Sequence, residues 1–183
     1  MKKFFLLTLL SILSLSTTQA QIVSSRSSHI TRTKSEHVPS IFVDLGPGLF
    51  TGDSDGFGLD LGFRWSKMFH PNVGWDILKI SAQTEGNEDF TEALNVQAKT
   101  GIRGVTPVLF GNSTLYANFA GGYGYYTDFG KGGFAWEVGG GINFTPRLSL
   151  GIAYNSCNYN VTVYKTEKSV NVGLITLRFS YGF

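Results

Sequence analysis

The sequence predicts an all-β protein, an eight-stranded antiparallel up-and-down transmembrane β-barrel. Three observations lead to this fold class. Apolar and polar residues alternate along most of the chain after residue 40, which is typical of strands with one apolar face. The polar face carries mostly Gly, Ala, Ser and Asn, with few charges. Charged residues make up 15% of the chain, well below the quarter or so that is typical of soluble domains.

Two segments precede the predicted barrel domain, which covers residues 40–183. Lys2 and Lys3, followed by an apolar run over 4–15, predict a secretory signal peptide that is cleaved after Ala20. This run is too short for a bilayer-spanning helix, which needs about 20 apolar residues. Residues 21–39 are rich in Ser, Thr and charged side chains and predict a flexible periplasmic leader.

The strands follow from the alternation. In chain order they are expected at 41–50, 57–66, 73–82, 93–103, 115–126, 134–144, 148–155 and 175–183. The second strand has the clearest pattern, because an apolar face alternates there with a face of small and charged residues. The apolar members are Phe57, Leu59, Leu61, Phe63 and Trp65, and the others are Gly58, Asp60, Gly62, Arg64 and Ser66.

Two strands are less regular than the other six. Pro47 in the first strand favours an edge position or a bulge, because proline donates no ladder hydrogen bond. In the third strand, Lys79 falls on the face that begins with Val73 and Trp75, while Leu78 falls on the other. A bulge near Leu78, or emergence of the strand from the apolar zone, would explain this change.

The connections alternate between two kinds. Three contain Pro71, Pro107 or Pro146, and four others, at 51–56, 83–88, 127–132 and 156–167, are rich in Gly, Asp, Asn, Ser or Lys. Such alternation is expected of the two ends of a meander. The last of these connections, 156–167, is interpreted either as a loop that contacts an extracellular ligand or as an extension of its two flanking strands.

The composition of the two faces decides between a membrane barrel and a soluble, lipocalin-like barrel. A soluble barrel would carry many Lys and Glu residues on its polar face, whereas small residues suit the narrow interior of an eight-stranded barrel. Lys79 is the one charged residue assigned to the apolar face, and a Lys at the midplane of the bilayer costs about 2 to 4 kcal/mol. The pattern therefore favours an apolar face that meets lipid.

Aromatic residues near the strand ends support the same interpretation, because aromatic girdles mark both interfaces of membrane barrels. The residues assigned to these interfaces are Trp65, Trp75, Tyr123, Tyr125, Trp136, Phe144 and Tyr154.

These features together resemble a known family. The signal peptide, the eight amphipathic strands, the segment 145–155 (TPRLSLGIAYN) and the terminal Phe179, Tyr181 and Phe183 are similar to small OmpA/OmpX-like outer-membrane β-barrel proteins, of the Bacteroidetes type. The resemblance implies a monomer in the cell outer membrane, in contact with outer-membrane lipids and lipopolysaccharide. It also implies that Phe179, Tyr181 and Phe183 form the signal that the outer-membrane assembly machinery reads.

Charged residues on the polar face are expected inside the barrel, where an unpaired charge is costly. There are four acids and four bases, namely Asp44, Asp60, Asp76, Glu137, Arg64, Lys99, Arg103 and Arg178. Mutual pairing predicts a plugged lumen and a structural or surface-interaction role. A narrow ion-conducting pore is the alternative.

A lipid A modifying enzyme is the second alternative, because small barrels of that kind carry a His beside a Ser. Here His29 and His37 lie in the leader and His70 in a proline turn, so a non-catalytic protein is expected. The single Cys157 excludes an internal disulfide and a Cys-rich metal site. No cofactor or metal is expected, and the small net charge of +2 gives no support to nucleic-acid binding.

Overall fold

A computed structural model describes residues 40–54, 56–85, 94–109, 113–128, 130–163 and 166–183. The predicted signal peptide and leader, 1–20 and 21–39, lie outside the described residues. The elements are eight strands: β1 (Ile41–Gly52), β2 (Gly56–His70), β3 (Val73–Glu85), β4 (Leu94–Val105), β5 (Thr114–Tyr126), β6 (Lys131–Asn143), β7 (Leu148–Val163) and β8 (Thr166–Gly182). Each strand pairs antiparallel with the next, and β1 pairs with β8 to close the barrel. Among the described residues there is no helix long and apolar enough to cross a membrane.

The barrel has two ends that differ in their connections. Residues 41 and 183 lie at one end, together with the turns that contain Pro71, Pro107 and Pro146; we call this the termini end. The connections β1–β2, β3–β4, β5–β6 and β7–β8 lie at the other end, which we call the hairpin end. The predicted alternation of proline turns and polar loops therefore corresponds to the two ends of an up-and-down barrel.

The apolar face of the strands points outward and the polar face points inward. In β2, Phe57, Leu61 and Trp65 are exposed on the outside, whereas Asp60 and Arg64 are buried inside. The same alternation holds in the other strands, because the period of two puts successive side chains on opposite faces. A soluble barrel has the reverse arrangement, with apolar side chains inside.

Glycine makes the narrow interior possible where neighbouring strands approach closely. A Cβ atom on Gly122 would lie 2.0 Å from the carbonyl oxygen of Ala98, and one on Gly101 would lie 2.2 Å from that of Phe119. No side chain fits at such distances. Part of the high glycine content is therefore a requirement of strand packing in a small barrel.

Pro47 lies in a closed barrel and at no edge, so the expectation of an edge position is wrong. Its strand β1 pairs with β2 on one side, where Pro47 lies opposite Leu59. On the β8 side the pairing passes from Leu45 opposite Phe179 to Gly48 opposite Thr176 without a change of register. The missing N–H of the proline thus falls in a short gap in the ladder and causes no bulge.

A bulge does occur in β3, between Asp76 and Lys79. Asp76 and Lys79 are both buried inside, Leu78 and Ile80 are exposed outside, and Ile77 is the extra residue. The assignment of Lys79 to the apolar face is therefore wrong. After the bulge, the alternation of inward and outward residues is shifted by one position, so Lys79 points into the interior.

The bulge leaves polar backbone on the outer surface, and Thr100 of β4 satisfies it. The hydroxyl of Thr100 donates to the carbonyl oxygen of Asp76 at 3.0 Å and accepts the indole N–H of Trp75 at 2.8 Å. Unsatisfied backbone groups are costly in contact with lipid. The hydroxyl therefore makes the bulge compatible with an apolar environment.

Strands β7 and β8 are longer than predicted. Their ladder continues to Val163 opposite Thr166, so the segment 156–167 is a strand extension for most of its length. Pairing with the neighbouring strands stops earlier, at Tyr159 opposite Gly133 on one side and at Val172 opposite Gly52 on the other. A two-stranded hairpin thus extends past the rest of the barrel.

Candidate functional site

The interior of the barrel contains a connected cluster of charged side chains, with Glu137 of β6 at its centre. Glu137 pairs with three cations: Lys79 of β3, Lys99 of β4 at 3.0 Å and Arg178 of β8 at 2.7 Å. The side-chain amide of Asn118 also donates to it, at 2.9 Å. Strands from opposite sides of the barrel thus meet at one buried carboxylate.

Arg178 joins this centre to β2. One nitrogen of its guanidinium donates to Glu137, and another donates to Asp60 at 2.9 Å. All three side chains are almost fully buried. Charge-assisted hydrogen bonds of this length are among the strong interactions in proteins. Through them, Arg178 holds β2, β6 and β8 together in the interior.

The remaining charges lie toward the termini end and are more loosely paired. Arg64 lies 3.5 Å from Asp44 and 3.7 Å from Asp76, and Arg103 lies 3.7 Å from Asp76. These distances exceed those of a hydrogen bond, although they fall within the range of an ion pair. Lys79 links the two parts, because it lies 3.9 Å from Asp44 as well as beside Glu137.

Two aromatic rings hold the loosely paired arginines. The Arg64 guanidinium lies 4.3 Å from the centre of the Phe42 ring, and that of Arg103 lies 4.4 Å from the centre of the Tyr116 ring. Both distances are typical of cation–π contacts. The rings fix the arginine side chains without taking up their hydrogen-bond donors.

All eight charged residues predicted for the lumen are buried inside the barrel and belong to this cluster. Lys79 is a ninth member that the sequence pattern misplaced. The interior of the described barrel thus contains five cationic and four anionic side chains, in place of the equal numbers expected.

A layer of amide side chains lies next to the charges on the hairpin side. Gln83 accepts from the side chains of Asn95 and Gln97, each at 3.1 Å. Lys99 donates to Gln97 at 2.7 Å and also to Asn155. This layer separates the charge cluster from the hairpin end.

An apolar cluster fills the interior at the hairpin end. Its members, here called the upper cluster, are Phe50, Tyr126, Ala135, Cys157, Tyr159, Val172 and Leu174. The Tyr159 hydroxyl joins it to the amide layer by donating to Asn95 at 2.6 Å. The sequence prediction missed this cluster, although Phe50, Val172 and Leu174 stand at inward positions of their strands.

The predicted interface aromatics lie on the outer surface at several heights. Trp65, Trp75 and Phe144 are exposed near the termini end, and Tyr123 and Tyr125 are exposed near the hairpin end. The other two are half-buried because their rings pack edge to face, with ring centres 5.3 Å apart; they are Trp136 and Tyr154.

The terminal residues Phe179, Tyr181 and Phe183 also face outward. Tyr181 and Phe183 make an edge-to-face ring contact with 5.1 Å between ring centres. Three successive outward positions at the end of β8 and just after it therefore carry exposed aromatic side chains, which we call the aromatic stripe.

Among the described residues, His70 and Cys157 lie at opposite ends of the barrel and do not form a common site. His70 lies exposed at the end of β2, where its Nδ1 accepts the backbone N–H of Asn72 in the following turn at 3.2 Å. Cys157 is fully buried in the upper cluster.

The sequence matches no protein-family model and no curated protein. Solved structures do share its architecture. Neisserial surface protein A has a TM-score of 0.53 at 12% identity, over 78% of this chain and 96% of that one. The attachment invasion locus protein of Yersinia pestis is 18% identical, with a TM-score of 0.46 over 79% of this chain and 97% of that one. The likeness to the Neisserial protein is one of fold, and this chain has the closed eight-stranded barrel fold of small outer-membrane proteins.

Proposed function

We propose that this protein is a monomeric, integral outer-membrane β-barrel with a structural or surface-interaction role and no catalytic activity. The observation that carries the proposal is the inverted polarity of the barrel, with charges inside and an apolar band outside. On β8 this band runs from Ile175 to Phe183, which corresponds to about 20 Å of height for a strand tilted by about 40°. An outer-membrane barrel has an apolar band of about 25 Å.

The proposed outer-membrane location determines what each part of the barrel would contact. The apolar band would contact outer-membrane lipids and lipopolysaccharide, and the aromatic stripe at Phe179, Tyr181 and Phe183 would be the part that the assembly machinery recognises during insertion. Both termini of the barrel would face the periplasm, and the hairpin end would face the outside of the cell.

The interior supports a closed lumen. Paired charges occupy the middle, amides lie above them, and the upper cluster occupies the hairpin end. An eight-stranded barrel is just wide enough for its own side chains. We therefore favour a barrel that does not conduct over the narrow-pore alternative.

The β7–β8 hairpin supports a surface-interaction role. Outward residues change from apolar to polar after Tyr154, and Asn158, Asn160 and Ser169 are exposed on the extension. At about 3.3 Å per residue, β7 continues roughly 23 Å along its own axis from Ser156 to Val163. An extracellular ligand would meet this hairpin first.

Membrane fractionation and a heat-modifiability gel test the location. The full chain is expected in the outer-membrane fraction, and its unheated form is expected to migrate differently from its boiled form because the barrel resists detergent. Recovery of the protein as a soluble periplasmic species would contradict the proposal.

Planar-bilayer recording tests the closed lumen. The wild-type protein is expected to give no steady discrete channels. As a comparison, Phe50→Ala removes an aromatic ring from the upper cluster while leaving the charge cluster in place. Regular channel openings by the wild-type protein would favour the pore alternative, whatever the variant does.

A further inference from the structure

The two ends of the barrel differ in the charges that they expose. At the termini end, the described outer surface carries the cations Lys67 of β2 and Arg147 of the β6–β7 turn, and no side-chain carboxylate. The exposed carboxylates of Asp53, Asp128 and Glu167 lie at the hairpin end. Within the described residues, the side chains of Lys67 and Arg147 make no ion pair and no hydrogen bond.

Strand pairing puts Lys67 and Arg147 at about the same height of the barrel. Rows of paired residues climb around it, because the row that starts at Leu148 of β7 returns to that strand ten residues further on, at Asn158. Three of the eight steps between strands therefore correspond to a climb of about four residues toward the hairpin end. Arg147 shares a row with Arg64 of β2, and Lys67 lies three residues from Arg64 toward the termini end, which offsets the climb.

Exposed aromatic rings accompany both cations. Lys67 lies opposite Trp75 in the ladder and two residues beyond Trp65, and both indole rings are exposed on the same outer face. Arg147 lies in one turn with the exposed Phe144. In a membrane barrel such rings mark the level at which the hydrocarbon ends, and cationic side chains next to them extend toward the headgroups.

We propose that this outer rim, which consists of Lys67, Arg147, Trp65 and Trp75 and is here called the cationic rim, binds the phosphate groups of anionic phospholipids in the surrounding leaflet. The inference rests on the proposed membrane location. Three strand spacings of about 4.8 Å, or about 14 Å, separate the two cations, so each contacts its own headgroup. An anionic lipid is preferred over phosphatidylcholine because choline carries a positive charge that opposes the cation.

The experiment measures which lipids contact the rim, in vesicles of phosphatidylcholine that contain some phosphatidylglycerol. The chain has three tryptophans, and Trp136→Phe in every sample leaves Trp65 and Trp75 as reporters at the termini end. Lipids with brominated acyl chains quench tryptophan fluorescence on contact. Brominated phosphatidylglycerol is expected to be preferred over brominated phosphatidylcholine by up to about fivefold at low salt, and less at high salt.

Two pairs of substitutions test the residues. Lys67→Gln combined with Arg147→Gln is expected to abolish the preference, whereas Lys67→Arg combined with Arg147→Lys is expected to keep it because the charges remain. Lys131→Gln combined with Lys168→Gln is the matched control, since it removes two exposed cations at the hairpin end, and it is expected to keep the preference. The heat-modifiability gel checks that each variant is folded.

Three results would overturn the inference. One is equal quenching of the wild-type reporters by the two brominated lipids, and another is a preference that survives Lys67→Gln with Arg147→Gln. The third is loss of the preference when inorganic phosphate replaces sulfate at equal ionic strength, because the cations would then bind a free anion. Failure of the proposed location is a separate outcome, since fractionation reports it: an outer-membrane barrel without lipid preference contradicts the cationic rim alone.

Discussion

At the scale of single residues, Glu137 is the most constrained side chain in the described barrel. Three cations and one amide contact its two oxygens, and it has no exposure to solvent. A buried ion pair adds little to stability compared with an apolar pair, because desolvation offsets its attraction. Removal of one partner is much more costly, since the other charges then stay buried without compensation.

Glu137→Gln is therefore expected to lower the free energy of unfolding by about 3 to 5 kcal/mol. The measurement is urea unfolding of the barrel in lipid vesicles, followed by tryptophan fluorescence. Glu167→Gln is the matched control, because Glu167 is exposed on the hairpin, and its effect is expected to stay within about 0.5 kcal/mol. Equal stability of the two variants would contradict the central role of Glu137.

Most of the charge cluster could be predicted from residue positions alone. Asp60 and Arg64 stand at alternate positions of a regular strand, and the period of two fixes their face. Lys79 could not be assigned in this way, because the count changes at an extra residue whose location depends on pairing with β2 and β4. The number of cationic side chains in the interior, five in place of four, depends on that one residue.

At the scale of the strand, the bulge in β3 decides which residues face the lumen. Ile77 is the extra residue with respect to β2, since Asp76 pairs with Ser66 and Leu78 with Trp65. The register with β4 also shifts by one residue between Asp76 and Lys79. Removal of Ile77 would leave the remaining alternation intact, because Asp76, Leu78 and Lys79 would then point in, out and in.

Deletion of Ile77 is accordingly expected to leave a barrel that still folds. Deletion of Phe63, an outward residue in a regular part of β2, would shift the rest of its strand by one and turn its inward face outward. The heat-modifiability gel distinguishes the two, and a folded band is expected from the first variant but not from the second. Loss of the folded band in both variants would show that the bulge itself is required for assembly.

The lengths of the strands were harder to predict than their faces. The prediction of 148–155 and 175–183 stops where the apolar alternation stops, at the boundary of the apolar outer band. The ladder of β7 and β8 continues well beyond it, because backbone pairing and polar contacts sustain a hairpin in water. Asn171 illustrates this, since its side chain donates to Ser156 and Asn158 on the opposite strand.

At the scale of the whole molecule, the interior is layered from one end to the other. Arginines held by aromatic rings lie toward the termini end, paired charges and amides occupy the middle, and the upper cluster occupies the hairpin end. The layering was not predictable strand by strand. Phe50, Tyr126 and Leu174 belong to three different strands, and closure of the barrel brings them together.

The opposite chemistry of the two ends leads to a test of orientation in intact cells. The test uses two cysteine variants, Ser169→Cys and Val108→Cys. Ser169 is exposed on the hairpin, and Val108 is exposed in the β4–β5 turn at the termini end. A maleimide carrying a polymer too large to cross the outer membrane is expected to label the first variant in intact cells and the second only after permeabilisation. The native Cys157 gives a low background, because it is 0% exposed in the upper cluster. The reverse labelling pattern would contradict the proposed orientation, with the termini in the periplasm, while leaving the barrel fold itself unchanged.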